Sequence, residues 1–187
     1  MSQLPTLSAV EIATDRVLLR KARDTDLARL VELQTDPEVW AYLGGPRRRE
    51  AVERRLAAIG GAGNATAAPG AFVIADKAID ELIGTLGLKR DAGDVPGRVT
   101  EEGGELELGY VLRRDVWGAG LAFEAATAAL RAAAGELPDQ GVITVTQTAN
   151  ERSLKLALRL GFEPVSTFVR NGAEQTLGRA SLHSFKL

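Results

Sequence analysis

Apolar and polar positions alternate along several short segments of the chain, a pattern typical of β-strands. The clearest case is residues 105–112 (ELELGYVL), which precede a glycine-containing turn. The same pattern, or a short apolar run, predicts strands at residues 17–21, 71–76, 82–89, 142–146, 164–169 and 176–185. Arg170, Asn171 and Gly172 predict the turn between the last two strands.

Apolar residues spaced three and four apart predict helices at residues 26–35, 47–59, 121–134 and 151–160. The alanine-rich third helix places Glu124, Thr127 and Arg131 on one face, so its small side chains can lie close on a sheet. Consecutive middle strands suggest antiparallel pairing, and the strand–helix–strand unit around this helix suggests a parallel pair. These elements predict a single α+β domain with a mixed, mostly antiparallel sheet and helices on both faces. Flexible segments are expected at residues 1–13, 60–70 and 90–104.

Composition excludes several classes of protein. The chain has 187 residues, a net charge of −2 and no basic signal-peptide region or long apolar run, so we expect a cytoplasmic protein without membrane or nucleic-acid partners. The absence of cysteine excludes disulfides, thiolate metal sites and cysteine nucleophiles. With only His183 and no G-x-S-x-G motif, a serine hydrolase is disfavoured. No loop has the carboxylate spacing of a metal site, and none is expected.

The turn at residues 115–120 (DVWGAG) lies between a predicted strand and a predicted helix N-terminus. Free amides and the helix dipole at such a point favour binding of a phosphate group. A nucleotide P-loop is excluded because no lysine follows Gly120, and Phe123 stands where a dinucleotide fold has its third glycine. Two interpretations of this turn remain: a plain strand–helix turn without a ligand, or a site for another phosphate-bearing ligand.

Four segments, in order over most of the chain, resemble the GNAT superfamily of acetyl-CoA-dependent acyltransferases. Residues 14–45 and 82–88 (LIGTLGL) resemble the opening and third strand of its ribosomal-protein N-acetyltransferase (RimJ/RimL-type) branch. ELGYVLRRDVWGAGLAFEA resembles its cofactor motif and NERSLKLALRLGF its C-terminal motif. The resemblance implies a GNAT-like sheet splayed at its centre and a monomeric or homodimeric N-acetyltransferase. Acetyl-CoA would be its donor, and a primary amine, in a protein N-terminus or a small molecule, its acceptor.

The resemblance also implies which residues bind coenzyme A. Its diphosphate would lie on main-chain amides of residues 116–121, and its pantetheine between residues 110–113 and 145–148. The chain has Asp115 where the family motif has Gln or Arg, so Arg113 or Arg114 would supply the charge. Gly109, inside a strand pattern, suggests a bulge that opens this gap. The implied cofactor residues are Tyr110, Val111, Leu112, Arg113, Val116, Trp117, Gly118, Ala119, Gly120, Leu121, Asn150 and Ser153.

Catalytic roles follow from the chemistry of thioester aminolysis, which needs a neutral amine and a stabilised oxyanion. Without cysteine we expect direct attack in a ternary complex. Glu107 is the candidate base, although an edge or loop-anchoring glutamate fits the same pattern. Asn150 and Ser153 read structurally as a helix N-cap and N3; by resemblance Asn150 contacts pantetheine and Ser153 donates a proton to sulfur. Many relatives use a tyrosine at the place of Ala157, and the resemblance also implies that a main-chain amide near Val111 holds the oxyanion.

The acceptor site is the least defined part of the sequence. Residues 47–55 (RRREAVERR) form a basic helix that is either a solvated face or a flank of the acceptor cleft. Trp40 and Tyr42 either line the same cleft or pack in the core. The alternative function is a GNAT-fold protein that binds acyl-CoA without turnover, which the missing Gln/Arg and tyrosine suggest.

Overall fold

An eight-stranded sheet organises the chain, whose residues 4–90 and 104–186 are described by a computed structural model. Within these residues the strand order is β1-β2-β3-β4-β5-β6-β8-β7, and only β5 and β6 run parallel. The predicted mixed, mostly antiparallel sheet is confirmed. The strands are β1 Ile12–Ala13, β2 Val17–Arg20, β3 Ala71–Asp76, β4 Leu82–Arg90, β5 Leu106–Leu112, β6 Gly141–Gln147, β7 Glu163–Arg170 and β8 Ala173–Ser181.

Helices cover both faces of this sheet, as the sequence predicts. They are α1 Leu27–Thr35, α2 Arg49–Ala58, α3 Leu121–Glu136 and α4 Glu151–Leu160. One core joins α1 and α2 to the face of the sheet that carries Val73 and Ala75. The other core joins α3 and α4 to the opposite face, where alanines of α3 are fully buried against Leu106 and Leu108. None of the helices in the described ranges has the length and apolar character needed to span a bilayer.

The C-terminal strand is shorter than its sequence pattern predicts. β8 ends at Ser181, and Leu182–Phe185 form a 3-10 turn, so the predicted extension of the strand to residue 185 is wrong. The amide of Leu182 donates to the carbonyl of Gln140 at 2.9 Å, and the amide of His183 donates to Asp139 Oδ1 at 2.9 Å. These bonds turn the chain toward the segment before β6, which local apolar content does not reveal.

Other differences lie at the edges of elements. The N-terminal segment, for which the sequence predicts no element, contributes β1 and a fully buried Leu7. The predicted loop at residues 60–70 contains a 3-10 turn, Ala62–Asn64. Of the second predicted loop, residues 91–103 lie outside the described residues. The predicted β7–β8 turn is confirmed, with Asn171 and Gly172 at φ 52° and 75°.

Candidate active site

The parallel strands β5 and β6 separate after a short stretch of pairing. Leu106 pairs with Val142 and Glu107 with Ile143, and the paired register ends there. Beyond this fork the strands enclose a cavity of about 560 Å³, which is also lined by α4. The sheet is therefore splayed at its centre, as the resemblance implied.

Main-chain groups of β5 face the gap. The amide of Arg113 donates to the carbonyl of Ile83 at 2.8 Å, which directs the odd-numbered residues of β5 toward β4. Hydrogen-bonded and non-hydrogen-bonded positions alternate along an antiparallel ladder. The amides and carbonyls of Leu108, Tyr110 and Leu112 are therefore turned to the gap, whereas the main chain of Val111 faces β4.

The facing strand β6 presents a matching set of groups. The amide of Thr148 donates to the carbonyl of Glu174 at 2.9 Å, so even-numbered residues of β6 are directed toward β8. The main-chain groups of Val145 and the amide of Gln147 are left toward the gap, whereas the carbonyl of Gln147 accepts from the amide of Asn150 at 2.8 Å. A linear molecule that carries amide groups can hydrogen-bond to both strands at once.

The glycine turn lies at the open end of this gap, between β5 and α3. Gly118 and Gly120 have φ of 80° and 79°, a region that favours glycine. Within the described part of the chain, the six successive amides from Gly118 to Phe123 donate to no protein acceptor. The first amides of α3 add the positive end of its dipole. Such an arrangement of amides suits a phosphate or diphosphate.

The arginines before the turn are paired with carboxylates. Arg113 contacts Asp115 at 2.8 Å and Glu81 at 2.5 Å, and Arg114 pairs with Glu38. Asp115 therefore shares the Arg113 guanidinium with Glu81.

A different cation lies on the turn itself. The guanidinium carbon of Arg152, in the first turn of α4, is 4.4 Å from the ring centroid of Trp117. The sequence offered no signal for this contact, because the two residues belong to different segments of the chain.

The glycine turn is held in position by residues between β1 and β2. Arg16 Nη1 donates to the carbonyl of Ala119 at 2.8 Å, and Arg16 Nε donates to Glu124 Oε2 at 2.7 Å. The hydroxyl of Thr14 donates to the same carboxylate at 2.6 Å. Burial opposes ionisation of Glu124, but the hydrogen bonds from Thr14 and Arg16 outweigh it and lower its pKa. These bonds fix the position of the first turn of α3.

Glu107 lies at the fork, on the face of the sheet that α1 and α2 cover. Its neighbours Leu106 and Leu108 pack in the core on the other face, so alternation turns Glu107 the opposite way. Lys89 of β4 is its cross-strand partner, and Gly87 pairs with Gly109 beside them. Because the two glycines have no side chains, the cavity reaches the main chain of β4 and β5 next to the Glu107 carboxylate.

Asn150 and Ser153 approach the gap from α4. Asn150 is the N-cap, and its Oδ1 accepts a hydrogen bond from the amide of Ser153 at 3.2 Å. Both residues line the cavity, as does Ala157, at whose place the resemblance implied a tyrosine in many relatives. Because α4 and Glu107 lie on opposite faces, the two predicted catalytic side chains flank the gap from its two sides.

Tyr110 contributes its side chain to the site as well as the main chain that the sequence predicted. The Tyr110 phenol and Ser153 both line the cavity. Burial raises the pKa of Tyr110, and the nearby Ser153 side chain offsets this only in part, so the phenol holds its proton at neutral pH. The alternation of side chains along β5 puts Tyr110 on the same face as Leu108, so the sequence could have predicted the position of its side chain.

The two aromatic residues predicted for the acceptor cleft have different positions. Tyr42, with Leu43, lines the mouth of the cavity. Trp40 packs on the core of α1 and α2, and its Nε1 donates to the carbonyl of Leu33 at 2.7 Å. Arg47 lies over the Trp40 ring, 5.1 Å from its centroid.

Comparison with known proteins identifies the class to which this fold and site belong. A family model described as an acetyltransferase (GNAT) domain matches residues 16–163. The chain therefore belongs to the GNAT acetyltransferase family, which transfers the acetyl group of acetyl-CoA to amine acceptors.

Individual relatives agree with this assignment. Over 156 residues the chain is 30% identical to the uncharacterized protein YkkB of Bacillus subtilis, covering 81% of this chain and 84% of that protein. It superposes with TM-score 0.73 and 19% identity on a GNAT-family acetyltransferase from Bacillus anthracis, over 92% of this chain and 98% of that one. A spermidine N-acetyltransferase from Vibrio cholerae, solved with CoA and spermine, gives TM-score 0.67 at 14% identity, over 92% and 99%. The two structures show a shared fold.

Proposed function

We propose that this protein is an N-acetyltransferase of the RimJ/RimL-type branch, which transfers the acetyl group to a primary amine by direct attack in a ternary complex. The observation that carries the proposal is the forked cavity with its glycine turn. Amides from Gly118 to Phe123 suit the diphosphate of coenzyme A. The main-chain groups of β5 and β6 that face the gap suit the two amides of pantetheine. The thioester is thereby brought toward the fork, where Glu107 lies.

The residues around the fork divide the chemistry between two faces of the sheet. Glu107 accepts a proton from the attacking amine, directly or through water, while the new C–N bond forms. The amide of Tyr110, which faces the gap, donates to the oxyanion. As the C–S bond breaks, Ser153 donates its proton to sulfur and recovers one from the Tyr110 phenol. This phenolate is reprotonated from solvent.

The first experiment tests binding and turnover separately. Acetyl-CoA should raise the melting temperature of the protein, because a ligand that binds only the folded state stabilises it. A panel of amines and N-terminal peptides should then release the thiol of CoA, read with a thiol reagent. The protein has no cysteine and gives no background in this assay. The absence of a melting shift at millimolar acetyl-CoA would refute the cofactor site.

Two further outcomes discriminate between the hypotheses. A melting shift with no thiol release from any amine would favour the alternative, a GNAT-fold protein that binds acyl-CoA without turnover. Glu107→Gln removes the proposed base at nearly constant volume and should lower kcat by about 100-fold or more, with little change in acetyl-CoA affinity. Full turnover by Glu107→Gln would refute the assignment of the base.

A further inference from the structure

The acceptor side of the fork carries an ammonium group directly beside the proposed base. Lys89 and Glu107 are cross-strand partners in the β4–β5 ladder and point to the same face of the sheet. Directly opposed residues in such a ladder have Cβ atoms about 5 Å apart. An amine that reaches Glu107 from this face must therefore pass within reach of Lys89.

The Lys89 side chain lies along the cavity floor. An ideal Cβ built at Gly87 would be 3.2 Å from Lys89 Cε and 3.6 Å from its Cδ. The stem of Lys89 therefore crosses the space that Gly87 leaves open. Lys89, Gly87 and Glu107 all line the same cavity. Within residues 4–90 and 104–186, no carboxylate lies within ion-pair distance of Lys89.

Further cations surround this position. Arg90 lines the same cavity. Its guanidinium donates to the carbonyl of Gly104 at 3.1 Å and to that of Pro5, which are uncharged acceptors. Lys21 lies close enough that burial and the charge of Lys89 together lower its pKa. Its Nζ donates to the carbonyl of Ala71 at 2.7 Å. Among the described residues that line this cavity, the charged ones are thus one carboxylate, Glu107, and two cations, Lys89 and Arg90.

We propose, building on the proposed function, that the acceptor is an amine that also bears an anionic group, such as a carboxylate, and that Lys89 binds this group. The cations disfavour a bound ammonium and thereby promote the neutral amine that attacks the thioester. A carboxylate on the acceptor offsets the repulsion by pairing with Lys89. A polyamine has only positive charge to offer and is disfavoured at this site.

The test compares acceptors in matched pairs that differ by one charge. The first pair is β-alanine and β-alaninamide. The second pair is the dipeptides Ala-Asp and Ala-Asn, each amidated at its C-terminus. Spermidine is the polycationic probe. The wild-type protein should favour the carboxylate of each pair by about tenfold in kcat/KM, or about 1.4 kcal/mol. Lys89→Gln should reduce this ratio to about one, and Lys89→Glu should invert it and favour spermidine. Any difference in intrinsic reactivity between the two amines of a pair is the same for every variant. It therefore cancels when the kcat/KM ratio of the wild type is compared with that of a variant.

Lys155→Gln is the matched control. Lys155 is an exposed lysine of α4, 3.6 Å from Glu151, and its replacement should leave the ratio unchanged. All variants should keep the wild-type melting shift with acetyl-CoA, which establishes an intact donor site. Binding of each pair to the CoA-loaded protein, measured by calorimetry, gives the same comparison without turnover.

The results separate the two proposals. Equal binding and turnover of the two members of each pair by the wild type, or an unchanged preference in Lys89→Gln, would overturn the anionic-acceptor proposal alone. Absence of the acetyl-CoA melting shift in the wild type would instead overturn the proposed function.

Discussion

The glycine turn permits a test in which backbone strain and ligand binding are separated. Gly118 has φ 80°, and a Cβ added there would meet no atom within 4 Å. Gly118→Ala therefore introduces no clash and acts through the backbone alone. A non-glycine residue in the left-handed region costs about 1–2 kcal/mol. In a chain of this size we expect the melting temperature of the free protein to fall by about 2–8 °C.

Gly172→Ala provides the control for this strain. Gly172 has φ 75°, equally open surroundings and a position in the β7–β8 turn. Its replacement should lower the melting temperature by a similar amount. Only Gly118→Ala should also weaken acetyl-CoA binding, since relaxation of the turn misaligns the amides from Gly118 to Phe123. Loss of one hydrogen bond to a charged group, about 1.5–3 kcal/mol, predicts an increase in Kd of roughly tenfold or more.

Calorimetry with acetyl-CoA and urea unfolding of both variants measure the two effects independently. The expected result is a common loss of stability with a loss of affinity confined to Gly118→Ala. If Gly118→Ala bound acetyl-CoA as tightly as Gly172→Ala did, the turn would not be the diphosphate site, and the reasoning from its free amides would be refuted.

Two further predictions concern the sides of the gap. Tyr110→Phe should lower kcat about tenfold, because it removes the proton supply to Ser153. The Kd for acetyl-CoA should stay constant, because the buried ring is kept. An unchanged kcat in steady-state kinetics would exclude the phenol from proton transfer. Glu124→Gln should reduce the free energy of unfolding by about 1 kcal/mol at pH 7, discounted because Arg16 is half exposed. The pKa of Glu124 is lowered in the folded protein, so its contribution is present above the ordinary glutamate pKa and is lost as pH falls through the lowered value. Urea unfolding from pH 7 downward should therefore show the two proteins converging, and a constant difference would contradict the ion pair.

Local chemistry explains why much of the donor side could be predicted from sequence. A strand, a turn with two glycines and a helix N-terminus are adjacent in the chain, so their geometry depends on nearby residues. The same holds for Asn150 and Ser153, which cap α4 within one turn. Charge at the turn was harder to predict. Arg113 and Arg114 lie beside the turn in sequence, yet Arg113 pairs with Asp115 and Glu81, and Arg114 pairs with Glu38.

The pattern of the sequence predicts the order of the elements from β2 onward, the faces on which β5 side chains lie and the glycine turn, because these depend on periodicity and on the conformations that single residues allow. Which distant side chains meet depends on the packing of the folded chain. The strand register places Lys89 beside Glu107, and helix packing brings Arg152 onto Trp117 and Ser153 to Tyr110. Such contacts depend on how separate segments pack, and a period of two or 3.6 residues specifies a face of an element without specifying the partner that covers it.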